Sequence, residues 1–299
     1  KIAKAKTLTE MKELRKELAE FKVLDPACGS GNFLYVAFRE LKRVEMELLN
    51  KIHTEFPKSA AEIGTQSIVS IKQFHGMDYN QFAVELAKVT LMLAKEIAIK
   101  ETRDWVDTMQ IGLGFQMEET LPLDNMNDNI LFADALFTNW HKADVIIGNP
   151  PYQSKRNMQQ EFGADYVSKL RERYSNVPGR ADYCVYWFYK AHNNLKEGGF
   201  AGLVGTNTIT QNYSREGSLD YIVNQGGTIF NATASQPWSG DAVVFVSIAS
   251  WIRGDYPGKK LLYVENDEGE LIEHQVDEIN TSLSLFTDLS KAKALLCNK

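Results

Sequence analysis

Four polar side chains each follow a short apolar run of the type that forms β-strands. They are Asp25, Asp78, Asp134 and Asn149. Helical patterns separate the runs, and this alternation favours a parallel sheet that is covered by helices. Ligands of such open sheets bind at the carboxyl ends of the strands. We therefore predict that the four residues form a ligand site at one edge of a sheet.

The turn after the first run reads DPACGSGNF, from Asp25 to Phe33. A phosphate-binding Walker turn needs Lys where Asn32 stands, and a dinucleotide-binding turn needs a third glycine. The acidic start would repel a pyrophosphate but suits a cationic or zwitterionic ligand. Gly29 and Gly31 would let the backbone approach that ligand closely. The alternative is an ordinary tight connection between a strand and a helix.

The turn after the fourth run reads Asn149-Pro150-Pro151-Tyr152. The amino group of a base is a poor nucleophile because its lone pair is delocalised, and accepting hydrogen bonds from both amino hydrogens restores its reactivity. The side-chain carbonyl of Asn149 and the backbone carbonyl of Pro150 can supply these acceptors. The prolines fix φ and remove N–H donors, and Tyr152 offers an aromatic face. The alternative is a plain β-turn.

The sequence DPACGSGNF resembles motif I of the class I S-adenosylmethionine-dependent methyltransferases in their DNA amino-methyltransferase form. The resemblance implies an α/β, Rossmann-like fold with a mostly parallel central sheet, helices on both faces and a C-terminal antiparallel strand. It also implies S-adenosylmethionine as the cofactor. The cofactor-binding residues that it implies are Asp25, Ala27, Gly29, Gly31, Asn32, Phe33, Asp78, Tyr79, Asp134 and Ala135.

The resemblance assigns a part of the cofactor to each strand end. Asp25 lies near the ammonium group of the methionine moiety, and Asp78 takes the two ribose hydroxyls. Tyr79 lies beside the adenine ring, Asp134 near its amino group, and Ala133 or Ala135 forms a small wall.

The family's catalytic motif matches Asn149, Pro150, Pro151 and Tyr152. Family members with Asn in the first position of the motif mainly methylate N6 of adenine, and those with Ser methylate N4 of cytosine. The resemblance therefore implies methyl transfer to adenine N6 in DNA after base flipping, as the modification part of a restriction–modification system. Tyr152 and Trp238 would stack on the base, with Phe245 as the alternative to Trp238.

The order of the motifs is similar to that of gamma-type adenine-N6 methyltransferases, and especially to the type IIL MmeI-like restriction–modification enzymes. Those enzymes carry an N-terminal nuclease and a C-terminal recognition domain, and we find neither pattern here. We predict an N-terminal helix over 1–20, a catalytic domain over 21–265 with insertions at 100–128 and 153–181, and an extension over 266–299. The chain is interpreted as a core cut from a longer enzyme. Its expected partners are double-stranded DNA and further domains of the parent chain.

Composition and charge bear on partners and location. The chain has 299 residues, is 44% hydrophobic and 24% charged, and has no apolar run of membrane-spanning length. Its three widely spaced cysteines favour a reducing cytoplasm, which the resemblance to restriction–modification enzymes implies is bacterial or archaeal. Its five histidines show no metal-ligand spacing. The net charge of −6 argues against a nucleic-acid partner.

The charge is distributed unevenly, however. Residues 151–190 hold seven basic residues against four acidic ones, which predicts contacts to the DNA backbone at Lys155, Arg156 and Arg180. A solvated insertion loop is the alternative.

Two other functions remain open at this point. One is N-methylation of a protein glutamine or of ribosomal RNA, because an amide nitrogen needs the same help from the motif. The other is a non-catalytic domain of a larger defence protein.

The patterns also predict secondary structure. Helices are expected at 8–20, 33–52, 81–99, 182–195 and 219–224. Strands are expected within 21–24, 67–79, 130–136, 143–152, 200–207, 227–232, 242–253 and 261–264.

Overall fold

A computed structural model describes residues 1–57, 67–108, 126–238, 244–266 and 268–287, apart from the side chains of 105–108 and 155. The chain divides into two compact units, Lys1–Ile147 and Gly148–Lys299. In the described residues, every helix is too short or too polar to span a membrane.

Three helices belong to the first unit: α1 (Leu8–Glu20), α2 (Asn32–Glu55) and α3 (Gln81–Thr108). Helix α1 begins with a reciprocal cap between Thr7 and Glu10, which satisfies two backbone N–H groups. Apolar residues of α2 and α3 form a buried core with Phe74 of the sheet; they include Leu34, Phe38, Val84, Ala87 and Leu91.

Four strands belong to this unit: β1 (Val23–Asp25), β2 (Phe74–Asp78), β3 (Ile130–Phe132) and β4 (Val145–Gly148). Their order is β3-β2-β1-β4, and neighbouring strands are parallel. The register pairs Asp25 with Gly76 and Asp78 with Phe132. The predicted parallel sheet is therefore present, and three of its strands end at one edge.

Helix α3 is longer than its sequence pattern predicts. A loop was expected from residue 100, and this is wrong for residues 100–108, which continue the helix. Two contacts with α2 stabilise the extension: Arg39 pairs with Glu101, and the Thr102 hydroxyl contacts the Met46 sulfur at 3.8 Å. Residues 109–125 lie outside the described part of the chain.

Five strands belong to the second unit: β5 (Phe200–Thr206), β6 (Gly227–Pro237), β7 (Phe245–Arg253), β8 (Lys260–Glu265) and β9 (Leu271–Val276). Their order is β5-β7-β6-β8-β9. Strand β7 is antiparallel to β5 and β6, and β9 is antiparallel to β8. Strand β9 was not predicted, because it is largely exposed and lacks a buried apolar face.

The helices of the second unit include α4 (Lys155–Phe162), α5 (Ala164–Arg173) and α6 (Val185–Asn194). Segment 153–181, predicted as an insertion, is thus largely helical. Helix α6 buries Tyr186, Trp187 and Phe188. Helices α7 (Asn212–Arg215) and α8 (Tyr221–Asn224) flank a π-helical turn, so this helical stretch begins before the predicted start at Leu219.

Candidate functional site

The Asp25 carboxyl is buried at the end of β1. Its Oδ1 accepts a hydrogen bond of 3.0 Å from the Ala27 N–H, while its Oδ2 is buried without a hydrogen-bond partner among the described residues. Burial raises the pKa of Asp25 to about 7; the Ala27 N–H opposes this and the Asp78 charge adds to it. An unpartnered buried carboxylate oxygen favours a ligand that donates a proton or carries positive charge.

Both glycines of the turn have positive φ, +49° at Gly29 and +85° at Gly31. A methyl group at Gly31 would lie 2.9 Å from the Ala87 Cα of helix α3, so only glycine fits there. A methyl group at Gly29 would meet no atom within 4 Å. The turn therefore packs tightly on α3 at Gly31 and is open at Gly29.

Asp78 connects the three loops at this edge. Its Oδ2 accepts from the Gly29 N–H at 3.0 Å and its Oδ1 from the Asn80 N–H at 2.8 Å. Its backbone carbonyl accepts from the Ala133 N–H at 3.0 Å. Each carboxylate oxygen keeps a further lone pair for a ligand hydroxyl.

Asp134 and Ala135 lie in the turn after β3. Asp134 Oδ1 accepts from the Leu136 N–H at 2.8 Å. Ala135 is buried, and its carbonyl accepts from the Trp140 indole N–H at 2.8 Å. Asp134 therefore shapes this turn, and Ala135 belongs to its buried base.

Aromatic rings are exposed near these loops. Tyr79 is 76% exposed and Phe132 is 56% exposed, with their ring centroids 6.0 Å apart and their planes 29° apart. Phe33 is also exposed, and Asn32 begins helix α2 beside it. Phe132 was not predicted as a site residue, although its position directly before Ala133-Asp134 could have indicated it.

In the second unit, the Asn149–Tyr152 turn contains an internal hydrogen bond. The Tyr152 hydroxyl donates to Asn149 Oδ1, while Pro150 is buried and Pro151 exposed. Burial raises the pKa of the Tyr152 phenol, the nearby Cys184 thiol adds to this, and the Asn149 hydrogen bond opposes it. The phenol therefore stays protonated at neutral pH and holds the Asn149 amide in one orientation.

The family model described as "MmeI, DNA-methyltransferase domain" matches residues 2–263. The chain belongs to this family. DNA methyltransferase A of Bacillus subtilis is 26% identical over 274 residues, which are 86% of this chain and 29% of that protein. The adenine-specific methyltransferase PglX of Streptomyces coelicolor is 24% identical over 66% of this chain and 17% of its own length.

The solved structure of the type IIL restriction–modification enzyme MmeI in complex with DNA matches with a TM-score of 0.72 at 24% identity. The match covers 94% of this chain and 37% of that one. It confirms the predicted α/β, Rossmann-like class I methyltransferase fold. The chain spans less than two fifths of the length of each of these three relatives.

The residues at the strand ends of this MmeI-family domain fit S-adenosylmethionine on structural grounds. The unpartnered Asp25 Oδ2 could accept from an ammonium group, and the open face of Gly29 leaves room for the methionine moiety. Asp78 could accept from ribose hydroxyls, and Tyr79 offers an exposed ring to a purine.

A polar cluster that the sequence analysis missed lies near Tyr152. Asp182 Oδ2 accepts from the Thr208 hydroxyl at 2.7 Å and from the Thr206 hydroxyl at 3.4 Å. The Cys184 sulfur lies 3.8 Å from the Thr206 hydroxyl, and burial raises the pKa of this thiol to about 11. Sequence spacing gave no signal, because the cluster joins the segment before α6 to the end of β5.

The residues that were predicted to contact DNA lie in the second unit. Arg156 is exposed on α4, and the Lys155 side chain lies outside the described residues. Arg180 is exposed and stacks over Tyr213, its guanidinium carbon 5.5 Å from the ring centroid. Trp238 is half-buried, and its backbone N–H donates to the Val244 carbonyl at 2.8 Å, whereas Phe245 is 44% exposed.

Proposed function

We propose that this domain transfers the methyl group of S-adenosylmethionine to the exocyclic N6 of adenine in double-stranded DNA. The observation that carries the proposal is the Asn149–Tyr152 turn, with its amide oriented by the Tyr152 hydroxyl, in a chain of the MmeI methyltransferase family. S-adenosylmethionine supplies a methyl group activated by a positively charged sulfur.

The first unit would hold the cofactor. Asp25 would accept from its ammonium group, Asp78 would accept from its ribose hydroxyls, and Gly29 would line its methionine moiety. Tyr79 would lie against the adenine ring, beside Asp134. Ala27, Gly31, Asn32, Phe33 and Ala135 would form the surrounding walls.

The second unit would hold the target base. Asn149 Oδ1 has two lone pairs, so it can accept from an amino group while it keeps the Tyr152 hydroxyl. The Pro150 carbonyl would accept the second amino hydrogen, and this pair of acceptors would fix the orientation of the nitrogen lone pair. Such fixed acceptors lower the barrier because they need no reorganisation.

The base must leave the duplex to reach this turn, since an exocyclic amino group inside the helix is paired and stacked. The Tyr152 ring would stack on the extruded base, and Trp238 or Phe245 would cover its other face. Lys155, Arg156 and Arg180 would contact the DNA backbone.

Adenine is favoured over cytosine by Asn149 and by the adenine-specific activity in the name of PglX. The test uses the full-length protein with labelled S-adenosylmethionine and unmodified DNA, followed by digestion to nucleosides. We expect N6-methyl-2′-deoxyadenosine; N4-methyl-2′-deoxycytidine as the product would overturn the adenine assignment. Ribosomal RNA and a glutamine-containing release-factor protein serve as control substrates, and labelling of either one without DNA would overturn the DNA assignment.

We propose that the domain acts within a longer protein of a restriction–modification system, with domains for target recognition in the same chain. Supporting this, MmeI is a restriction–modification enzyme of which the chain matches 37%. Comparing methylation by the full-length protein and by this domain alone would test the need for those domains.

A further inference from the structure

The exposed pair of Arg180 and Tyr213 lies on two segments that hydrogen bonds connect to the catalytic turn. The Tyr183 N–H donates to the Gln153 carbonyl at 3.0 Å, which fixes the segment after Arg180 to the residue after Tyr152. The Asp182 N–H donates to the Ser214 hydroxyl at 3.1 Å. The segments of Arg180 and Tyr213 are therefore both connected by hydrogen bonds to the Asn149–Tyr152 turn.

The charge of Arg180 is available to an anion. Within the described part of the chain, its partner is the Tyr213 ring, and the Tyr213 hydroxyl accepts from its Nη1 at 3.5 Å. The nearest carboxylate in sequence, Asp182, instead accepts from Thr206 and Thr208. The surface at Arg180 therefore presents positive charge that no described carboxylate neutralises.

The Tyr213 ring beneath the guanidinium follows a residue with an uncommon backbone conformation. Asn212, directly before Tyr213, has a φ of +45°, which a residue other than glycine seldom adopts. Tyr213 is 45% exposed although it carries a large apolar ring. An exposed ring under an arginine holds the planar guanidinium flat and leaves its edge free for hydrogen bonds.

We infer that Arg180 and Tyr213 together bind a phosphate of the DNA strand beside the extruded nucleotide, with Tyr213 as the positioning residue for Arg180. The inference rests on the proposed function and adds Tyr213 to its site. A guanidinium fork matches the geometry of two phosphate oxygens. Because this contact is connected to the residue after Tyr152, it would hold the DNA backbone at the extruded nucleotide in a fixed position relative to the Asn149 turn.

The test compares DNA binding and methylation by the full-length protein and its variants, using a duplex that contains the sequence found methylated in its host. Arg180→Gln should reduce the slope of log affinity against log salt by about 0.9, the value for one phosphate contact. It should raise KM for DNA several-fold and leave kcat within about twofold. Arg180→Lys should keep the salt slope.

Tyr213→Ala should raise KM roughly two- to fivefold, the range for an exposed cation–π contact, and Tyr213→Phe should have a smaller effect. If the residues act as a pair, the double variant will be no weaker than Arg180→Gln alone. Lys259→Gln is the matched control: Lys259 is exposed near the start of β8, at the sheet end opposite Thr206, and should leave KM and slope unchanged.

Unchanged KM and salt slope in Arg180→Gln and Tyr213→Ala would overturn the inference, as would equal effects of Lys259→Gln. Thermal unfolding of each variant separates these effects from misfolding. If the wild-type protein transfers no methyl group to DNA, the proposed function is wrong and the inference falls with it. Wild-type transfer with unaffected variants overturns the inference alone.

Discussion

In the first unit, backbone N–H groups hold the acidic side chains: Ala27 donates to Asp25, and Gly29 donates to Asp78. In the second unit, side chains hold one another, as Tyr152 holds Asn149 and Thr208 holds Asp182. The first arrangement uses donors of the main chain, and the second uses hydroxyl donors of side chains. Substitutions at the first site should therefore change stability and cofactor affinity, whereas substitutions in the Asn149–Tyr152 turn should change the rate of methyl transfer.

The largest contrast is expected from Asn149→Ala. It removes an acceptor that acts on the reacting nitrogen, so kcat should fall roughly 10²- to 10³-fold, as when a single transition-state hydrogen bond is lost. Cofactor affinity should stay unchanged, because Asn149 is not among the cofactor-binding residues. Asp78→Ala should do the opposite and weaken cofactor binding first. Calorimetry with S-adenosylmethionine and rate measurements on both variants test this, and an inverted pattern would contradict the assignment.

Asp25→Asn should make the protein more stable and its cofactor binding weaker. Folding raises the pKa of Asp25 from 3.8 to about 7, so the folded state holds an extra proton between these values. The contribution of Asp25 to the free energy of unfolding therefore falls as the pH rises from about 4 to 7, by roughly 4 kcal/mol in total. The neutral amide avoids this cost, so we expect a gain of a few kcal/mol above pH 7.

Denaturant unfolding at pH 5 and pH 8 measures the Asp25 effect. The gain should be larger at pH 8 than at pH 5, while calorimetry at pH 8 should show weaker S-adenosylmethionine binding. An equal gain at both pH values would show that ionisation of Asp25 is not its source.

Gly31→Ala and Gly29→Ala form a matched pair within one turn. Both place a side chain at positive φ, which costs about 1 kcal/mol, but only alanine at 31 also meets Ala87 at 2.9 Å. We expect Gly31→Ala to destabilise by roughly 2–4 kcal/mol and Gly29→Ala by about 1 kcal/mol. Gly29→Ala should instead lose cofactor affinity. Equal loss of stability in urea unfolding would show that the contact with α3 is not tight.

The smallest effect is expected from Tyr152→Phe, which keeps the ring and removes the hydroxyl that donates to Asn149 Oδ1. A neutral hydrogen bond contributes about 0.5–1.5 kcal/mol, so transfer should slow by up to about tenfold, and binding of S-adenosylmethionine should not change. Tyr152→Ala, which also removes the stacking ring, should lose considerably more. If the phenylalanine variant is as fast as wild type, another contact orients the amide.

Much of the cofactor edge was predictable because its information is local. Asp25, Asp78 and Asp134 are each found from a strand pattern and the turn that follows it, and parallel pairing brings the three ends together. The NPPY turn is equally local, since its prolines fix the backbone without help from elsewhere. These residue assignments stay predictions until variants are measured.

The contacts around Asp182 could not be predicted in this way. Asp182 and Thr208 meet only after β5 has packed beside the segment before α6, and no local pattern encodes that meeting. The end of α3 was missed for a related reason. Its last turns are polar, and tertiary contacts such as Arg39 with Glu101 stabilise them. Strand β9 was missed because its exposed residues have little apolar alternation.

The contact between Gly31 and Ala87 couples two parts of the sequence that otherwise look independent. Helix α3 begins just after Asp78 and Tyr79, so any shift of α3 away from Gly31 would also move those residues. A larger side chain at position 87 would therefore widen the distance between the turn and the end of β2. In related sequences that keep this contact, we expect glycine at position 31 and a small residue at position 87. The small residues at these two positions thus set the spacing between the Gly-rich turn and the end of β2.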